Sequence, residues 1–410
     1  MSPSPHAPNS QRRNLLAALA GAPVAAALTA CGCGPSTSAP ATTTRPKGTT
    51  TIPGGTVRWT KPTVDSGADG LLVPKGWSAK VLARTGEKVG STGYVWPSAP
   101  DGAASFEDPD GEGWWVAINH EDSPENGGGV SALQLDATGK VVTAHRILGG
   151  TTRNCAGGPT PWGTWLSGEE VPNGQVWECD PTQPNSGEVR SAMGRFSHEA
   201  AGVDASTKHV YLTEDQPDGR FYRFTPTKWP DLSAGKLEVA KATGGDVPGT
   251  GAVTWLEVPD PSAASQETRK QVPDSTGYAG GEGVALGAGK VFFSTKYDNT
   301  VWAYDPGTTT MDIVYRASGD NPVLSGVDNL WWDGPSATLL TAEDGGNMEL
   351  VALAQDGSTI PILRVQGQDS SEITGPTISP DRRFMTLSSQ RGKKDNIGIT
   401  WLVTGSFPTA

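Results

Sequence analysis

Gly113-Trp-Trp-Val-Ala-Ile-Asn-His-Glu-Asp122, Gly163-Thr-Trp-Leu-Ser-Gly-Glu-Glu170 and His209-Val-Tyr-Leu-Thr-Glu-Asp215 set out one pattern: a turn, a hydrophobic strand, then an acidic cluster. It returns as Lys290-Val-Phe-Phe-Ser-Thr-Lys296, Ala337-Thr-Leu-Leu-Thr-Ala-Glu-Asp344 and Arg383-Phe-Met-Thr-Leu-Ser-Ser-Gln390. The segments recur at roughly 45 to 50 residues, the period of a four-stranded propeller blade. One interval is longer, and the Pro- and Gly-rich stretch from Trp229 to Gly280 reads as the insertion that fills it. Many of these strands lead into another that ends in a turn, as in Thr300-Val-Trp-Ala-Tyr-Asp-Pro306. No stretch of the mature part sustains a 3.6-residue apolar period. The fold expected is all-β, a six-bladed β-propeller.

Composition agrees. Among 410 residues, Gly 53 and Pro 33 make up about a fifth, and charged residues only 19%. Gly supplies positive φ and Pro presets φ, so this balance suits many short strands joined by tight turns. Trp is abundant, at 14, which provides large apolar surfaces for a core. The formal net charge of -12 opposes a phosphate backbone, so nucleic-acid binding is not expected. Clustered acids in such a chain suit hard cations such as calcium.

Residues 1–30 read as a targeting device and stay outside fold reasoning. Arg12 and Arg13 precede an apolar run from Leu15 to Ala30, too short to span a bilayer comfortably. The paired arginines resemble a twin-arginine export signal, and Leu28-Thr29-Ala30-Cys31 resembles a lipobox. Export to the periplasm or cell surface is therefore expected, with membrane attachment only through a lipid on Cys31. A Pro/Ser/Thr/Gly-rich stretch over 31–62 reads as a flexible tether, and 63–410 as the folded domain.

A second signal lies just upstream of the repeated strands. Asn154-Cys155, His198-Glu199, Gly281-Glu282 and Val327-Asp328 each lead into small or apolar residues. The first strand of a propeller blade lines the central channel, so a polar residue at its start sits at one mouth. Cys155, Glu199, Glu282 and Asp328 are thereby expected to converge. The pairs Glu169/Glu170, Glu214/Asp215 and Glu343/Asp344, which end the following strands, are expected nearby. So many anions in one small space repel one another unless cations neutralise them.

These strings also carry a family resemblance. Asn154-Cys-Ala-Gly-Gly-Pro-Thr-Pro-Trp-Gly-Thr-Trp-Leu-Ser-Gly-Glu-Glu170 resembles the signature of the PhoX alkaline phosphatase family. So do Gly194-Arg-Phe-Ser-His-Glu-Ala-Ala-Gly-Val-Asp204 and Leu212-Thr-Glu-Asp-Gln-Pro-Asp-Gly-Arg-Phe-Tyr-Arg-Phe-Thr-Pro226. The resemblance implies an iron–calcium cluster acting on small phosphomonoesters outside the cytoplasm. By motif, it implies Cys155, Glu169, Glu170, Glu282 and Glu343 as catalytic metal ligands, with Glu199 and Glu214 as further carboxylates. Asn119, Glu121 and Asp344 are the implied calcium ligands. Mixed ligation is chemically sensible, since thiolate suits iron and carboxylate suits calcium. No Ser or Thr sits in a recognisable nucleophile motif, so a metal-bound oxygen is the expected nucleophile. Arg195, Arg220 and Arg316 are candidates to grip a phosphate, and a monomer is expected.

Other readings stand beside these. Cys155 and Cys179 could pair as a disulfide in an oxidising compartment. His120 and His198 read as hydrogen-bonded groups that orient a neighbour. Two rival functions use the same fold: a calcium-dependent propeller lactonase, and a non-catalytic surface protein braced by calcium.

Overall fold

The computed structural model describes residues 59–111, 113–320 and 322–409. The signal peptide and nearly all of the tether expected from the sequence lie outside the described residues. Among the described residues no helix is long and apolar enough to cross a membrane. Apart from three single-turn 3-10 helices, the regular structure of the described residues is all strand.

Six strands stand innermost: Pro100–Glu107, Asn154–Pro159, His198–Asp204, Gly281–Gly287, Val327–Asp333 and Ile373–Ile378. Each packs beside the next, and the last packs against the first, so the chain closes on itself around a channel. The closure is locked where Ser105 Oγ donates to the carbonyl of Ile378 (2.6 Å). Each innermost strand pairs with the strand that follows it, antiparallel and outward. Three of those second strands, Trp114–His120, Thr338–Glu343 and Phe384–Ser389, are buried along their whole length. Even their polar residues, such as Asn119, Thr341 and Ser388, are buried, because neighbouring sheets cover both faces of these strands.

The architecture is propeller-like, but hydrogen bonding groups the strands into five sheets instead of six separate ones. Three sheets have four strands, one has six and one has nine. The nine-stranded sheet arises in the expected insertion. There Asp231–Gly244 and Gly251–Glu257 form a long hairpin whose Gly251 and Ala252 pair with Met311 and Thr310 of the next repeat. The six-stranded sheet gains the short N-terminal strands Val64–Asp65 and Leu71–Val73 at its outer edge. Ser78–Arg84 is the outermost strand of the sheet that holds the C-terminal strands, so both ends of the domain meet in one sheet. The domain also begins earlier than the expected 63. Trp59 is buried, packs on Trp77 and Phe407, and donates from Nε1 to Thr338 Oγ1 (3.0 Å).

The innermost strands share one irregularity. Each carries a register shift near its start: 100/103, 154/157, 198/201, 281/284, 327/330 and 374/377. A bulge inserts one extra residue and re-aims its side chain. It also brings backbones close around the channel. A Cβ on Gly283 would lie 2.4 Å from the Leu330 amide nitrogen, and one on Gly158 would lie 1.7 Å from the Ala201 carbonyl oxygen. Backbone cannot yield as a flexible side chain does. Gly158→Ala is expected to lower the unfolding free energy by about 1–3 kcal/mol or more, read as a lower midpoint in urea or thermal unfolding.

Candidate metal centre

The first residues of the bulges are Asp101, Cys155, Glu199, Glu282 and Asp328, and in the sixth strand Gly375. The residues that pair across the starts of the first five bulges are His120, Glu169, Glu214, Thr295 and Glu343. Next in sequence after these come Glu121, Glu170, Asp215, Lys296 and Asp344. Each of five repeats therefore delivers two polar side chains to one mouth of the channel.

Four groups result, in each of which the ligand atoms lie within 4.8 Å of one another. They are Asp101, Glu121 and Cys155; then Cys155, Glu170 and Glu199; then Glu199, Glu282 and Asp328; then Asp328, Asp344 and Glu372. Shared members link them into one row of a thiol and eight carboxylates. Burial raises the pKa of Glu199 to about 8, with the charge of Asp328 adding to the effect. Burial likewise lifts Asp101, Glu282 and Glu372, and their carboxylate neighbours push the same way. The Cys155 thiol, 3.6 Å from Asp101 Oδ2, is held protonated by burial and by the anions of Asp101 and Glu199. Neither oxygen of Glu199, which is 1% exposed, meets a nitrogen or oxygen donor. A buried carboxylate without such donors is costly as an anion.

Cations from the protein offset part of this charge. Arg153 Nη2 lies 2.7 Å from Glu121 Oε1 and 3.6 Å from Glu170 Oε2. Arg391 Nη2 lies 2.9 Å from Glu372 Oε1. Lys296 Nζ lies 2.7 Å from Asp215 Oδ2 and touches Glu282. Gln390 Nε2 donates to both Asp101 and Glu121. Eight carboxylates still exceed three cations. The donor set fits metal ions: carboxylates suit hard cations, and a thiolate beside carboxylates suits a transition metal.

The structure sorts the residues named from the sequence. Glu121, Cys155, Glu170, Glu199, Glu282 and Asp344 come together in the row. Four others lie outside these groups and have partners of their own. Glu169 spends its oxygens on the amides of Thr152 (3.0 Å) and Gln175 (3.2 Å) and on Trp177 Nε1 (3.1 Å). Glu343 accepts from the amides of Ser325 (2.8 Å) and Glu349 (3.0 Å). Glu214 accepts from Tyr222 Oη (2.7 Å) and pairs with Arg269 (3.3 Å). Asn119 donates to the carbonyls of Cys155 and Ala156 and accepts from Trp165 and Ser167. Successive side chains of a strand point to opposite faces, so each acid pair splits between a structural brace and the mouth.

This split is testable at neighbouring residues. Glu169→Gln should keep the metal content and lower stability by about 1–3 kcal/mol, the usual cost of disturbing a buried hydrogen-bonded acceptor. Glu170→Gln should lower the metal content and spare stability in chelator. Elemental analysis and urea unfolding of the two variants read both effects.

His120 and His198 are held by structural hydrogen bonds. His120 bonds the Ser98 carbonyl (2.9 Å) and Ser131 Oγ (2.8 Å), and burial holds its pKa down to about 3. His198 bonds the Gly194 carbonyl (3.0 Å). Cys155 and Cys179 are both free and buried, so the disulfide alternative does not hold. Arg195, Arg220 and Arg316 pair elsewhere, with Asn173, Ser275 and Asp298. Asp101, Glu372, Lys296, Arg153 and Arg391 were not singled out from the sequence.

The model of the family described as "Alkaline phosphatase PhoX" matches residues 127–177 and 171–300, which hold three of the six bulges. Over this stretch the chain is similar to the PhoX family. Its fold is similar to that of Pseudomonas fluorescens PhoX, solved in complex with vanadate, a transition-state analogue. The TM-score is 0.68 at 17% identity, covering 84% of this chain and 97% of that one. A structure provisionally assigned as a 6-phosphogluconolactonase from Bacteroides uniformis aligns at TM-score 0.42 and 12% identity, covering 74% and 80% of the two chains. No curated protein sequence matches the chain.

Proposed function

We propose that this PhoX-like chain is a phosphomonoester hydrolase with an iron–calcium centre at one mouth of a six-bladed propeller. The observation that carries the reading is the largely buried row of one thiol and eight carboxylates, five of its nine members presented by bulges. The blade count rests on the six innermost strands, with the nine-stranded sheet taken as two blades joined at their outer strands. Cys155 with Asp101, Glu121, Glu170 and Glu199 is the share of the row suited to iron, because it contains the thiol. Glu282, Asp328, Asp344 and Glu372 offer oxygen alone and suit calcium.

Metal ions held there would neutralise phosphoryl charge and supply a nucleophile near neutral or alkaline pH. The protein's own groups do the rest. Arg153 and Arg391, each about a third exposed and anchored on a row carboxylate, stand ready to meet an anionic phosphate. Asn119 fixes the Cys155–Ala156 backbone and thereby the thiol. Export through the twin-arginine signal, a lipid on Cys31, a monomeric state and the absence of nucleic-acid partners complete the proposal.

Elemental analysis of the export-matured protein, beside p-nitrophenyl phosphate hydrolysis with and without calcium, tests it. Iron with several calciums and calcium-dependent turnover is the expected result. A single divalent ion with lactone hydrolysis would move the chain to the lactonases. Calcium alone without turnover would leave a binding protein.

A further inference from the structure

The first two metal-capable groups obey one rule. Each takes both mouth positions of one repeat and the bulge position of the next: Asp101 and Glu121 with Cys155, then Cys155 and Glu170 with Glu199. Applied to the third repeat, the rule names Glu199 and Asp215 with Glu282, but the group that forms there takes Asp328 in place of Asp215. Between Asp215 and Glu282, however, lies the ammonium of Lys296. Lys296 comes from the fourth repeat, where it fills the position that holds a carboxylate in the other four. Its side chain is 11% exposed and that of Glu282 is 2% exposed, so this contact is made largely out of water.

We propose that the Lys296 ammonium is the resident cation of the third station, standing in for a divalent ion that the repeat would otherwise bind. The inference rests on the reading of the row as a metal centre. A lysine ammonium is a compact point charge with three donors, able to bridge two carboxylates. Tethered to its own strand, it has no dissociation equilibrium and ignores chelators. It carries one positive charge where calcium carries two, and it offers no open coordination position. The third station would therefore be structural, joining the first two stations to the Glu282–Asp328 end of the row.

The test is a comparison between chains, by elemental analysis and calcium titration calorimetry in a calcium buffer. Lys296→Met removes the charge at similar length, and Lys296→Arg keeps a cation. Lys296→Met is expected to gain about one calcium per chain over the parent, since Asp215 and Glu282 then lose the ammonium that bridges them, while Lys296→Arg gains none. In chelator, Lys296→Met should unfold at a lower temperature than the parent, and calcium should restore it. An unchanged or smaller metal count in Lys296→Met overturns the proposal. So does a folding defect in Lys296→Met that calcium does not repair, because the lysine would then be needed for more than its charge. A parent protein without any metal would remove the metal-centre reading yet leave this difference readable.

Discussion

Cys155→Ser is expected to remove bound iron and lower p-nitrophenyl phosphate hydrolysis by at least about a hundredfold, beyond what is usual for groups that only orient ligands. Cys155 belongs to two of the four groups, so its loss disturbs both at once. Serine keeps the size of the side chain but has a far weaker tendency to ionise and is a harder donor, poorly matched to iron. The bulge that presents residue 155 is held from the backbone, by Asn119 Nδ2 on the carbonyls of Cys155 and Ala156, and serine leaves those bonds in place. The fold, and the calcium proposed for Asp328, Asp344 and Glu372, should therefore persist. Iron content, calcium content and turnover of one preparation decide it. A Cys155→Ser enzyme that is iron-free and fully active would sink the assignment of the thiol.

That Cys155 could be singled out at all reflects how directly the repeat is written in the chain. A turn, an apolar strand and an acid recur because each blade needs the same parts, and convergence of Cys155, Glu199, Glu282 and Asp328 follows from that recurrence alone. Asp101 obeys the same rule, sitting before Gly102-Ala-Ala-Ser, and the signal that would have found it was already present. Glu372 was hidden because it lies one residue before the strand Ile373–Ile378, while the sixth bulge itself begins with Gly375. The choice within Glu169/Glu170, Glu214/Asp215 and Glu343/Asp344 was hidden for a different reason. Alternation says that neighbours diverge, but the bulge decides which of the two faces the channel, and a bulge leaves no clear mark in one sequence. The five-sheet grouping was hidden too, since the pairing of Gly251 and Ala252 with Met311 and Thr310 depends on how far the hairpin reaches.

Stripped of metal, Glu199→Gln should be more stable than the parent at alkaline pH, and the advantage should shrink towards pH 5. The sign follows from the shift. Burial, aided by the charge of Asp328, raises Glu199 from 4.5 to about 8 in the folded chain. Between those values the metal-free folded state holds a proton that the unfolded state has released. Folding stability therefore falls as pH rises through this window and levels off above about 8. At ~1.4 kcal/mol per unit the loss is on the order of several kcal/mol, all of which glutamine avoids because it carries no charge. Asp101, Glu282 and Glu372 are raised in the same direction, so part of the slope remains in the variant. Restoring metal should reverse the order, because the carboxylate then has its cation and glutamine is the poorer ligand. Urea unfolding at pH 5, 7 and 9, in chelator and in calcium, reads both arms. A variant weaker than the parent in chelator at every pH would mean that Glu199 braces the fold by itself. A reversal of sign on adding metal requires that the protein bury this carboxylate at a cost to its own stability in order to hold a cation there.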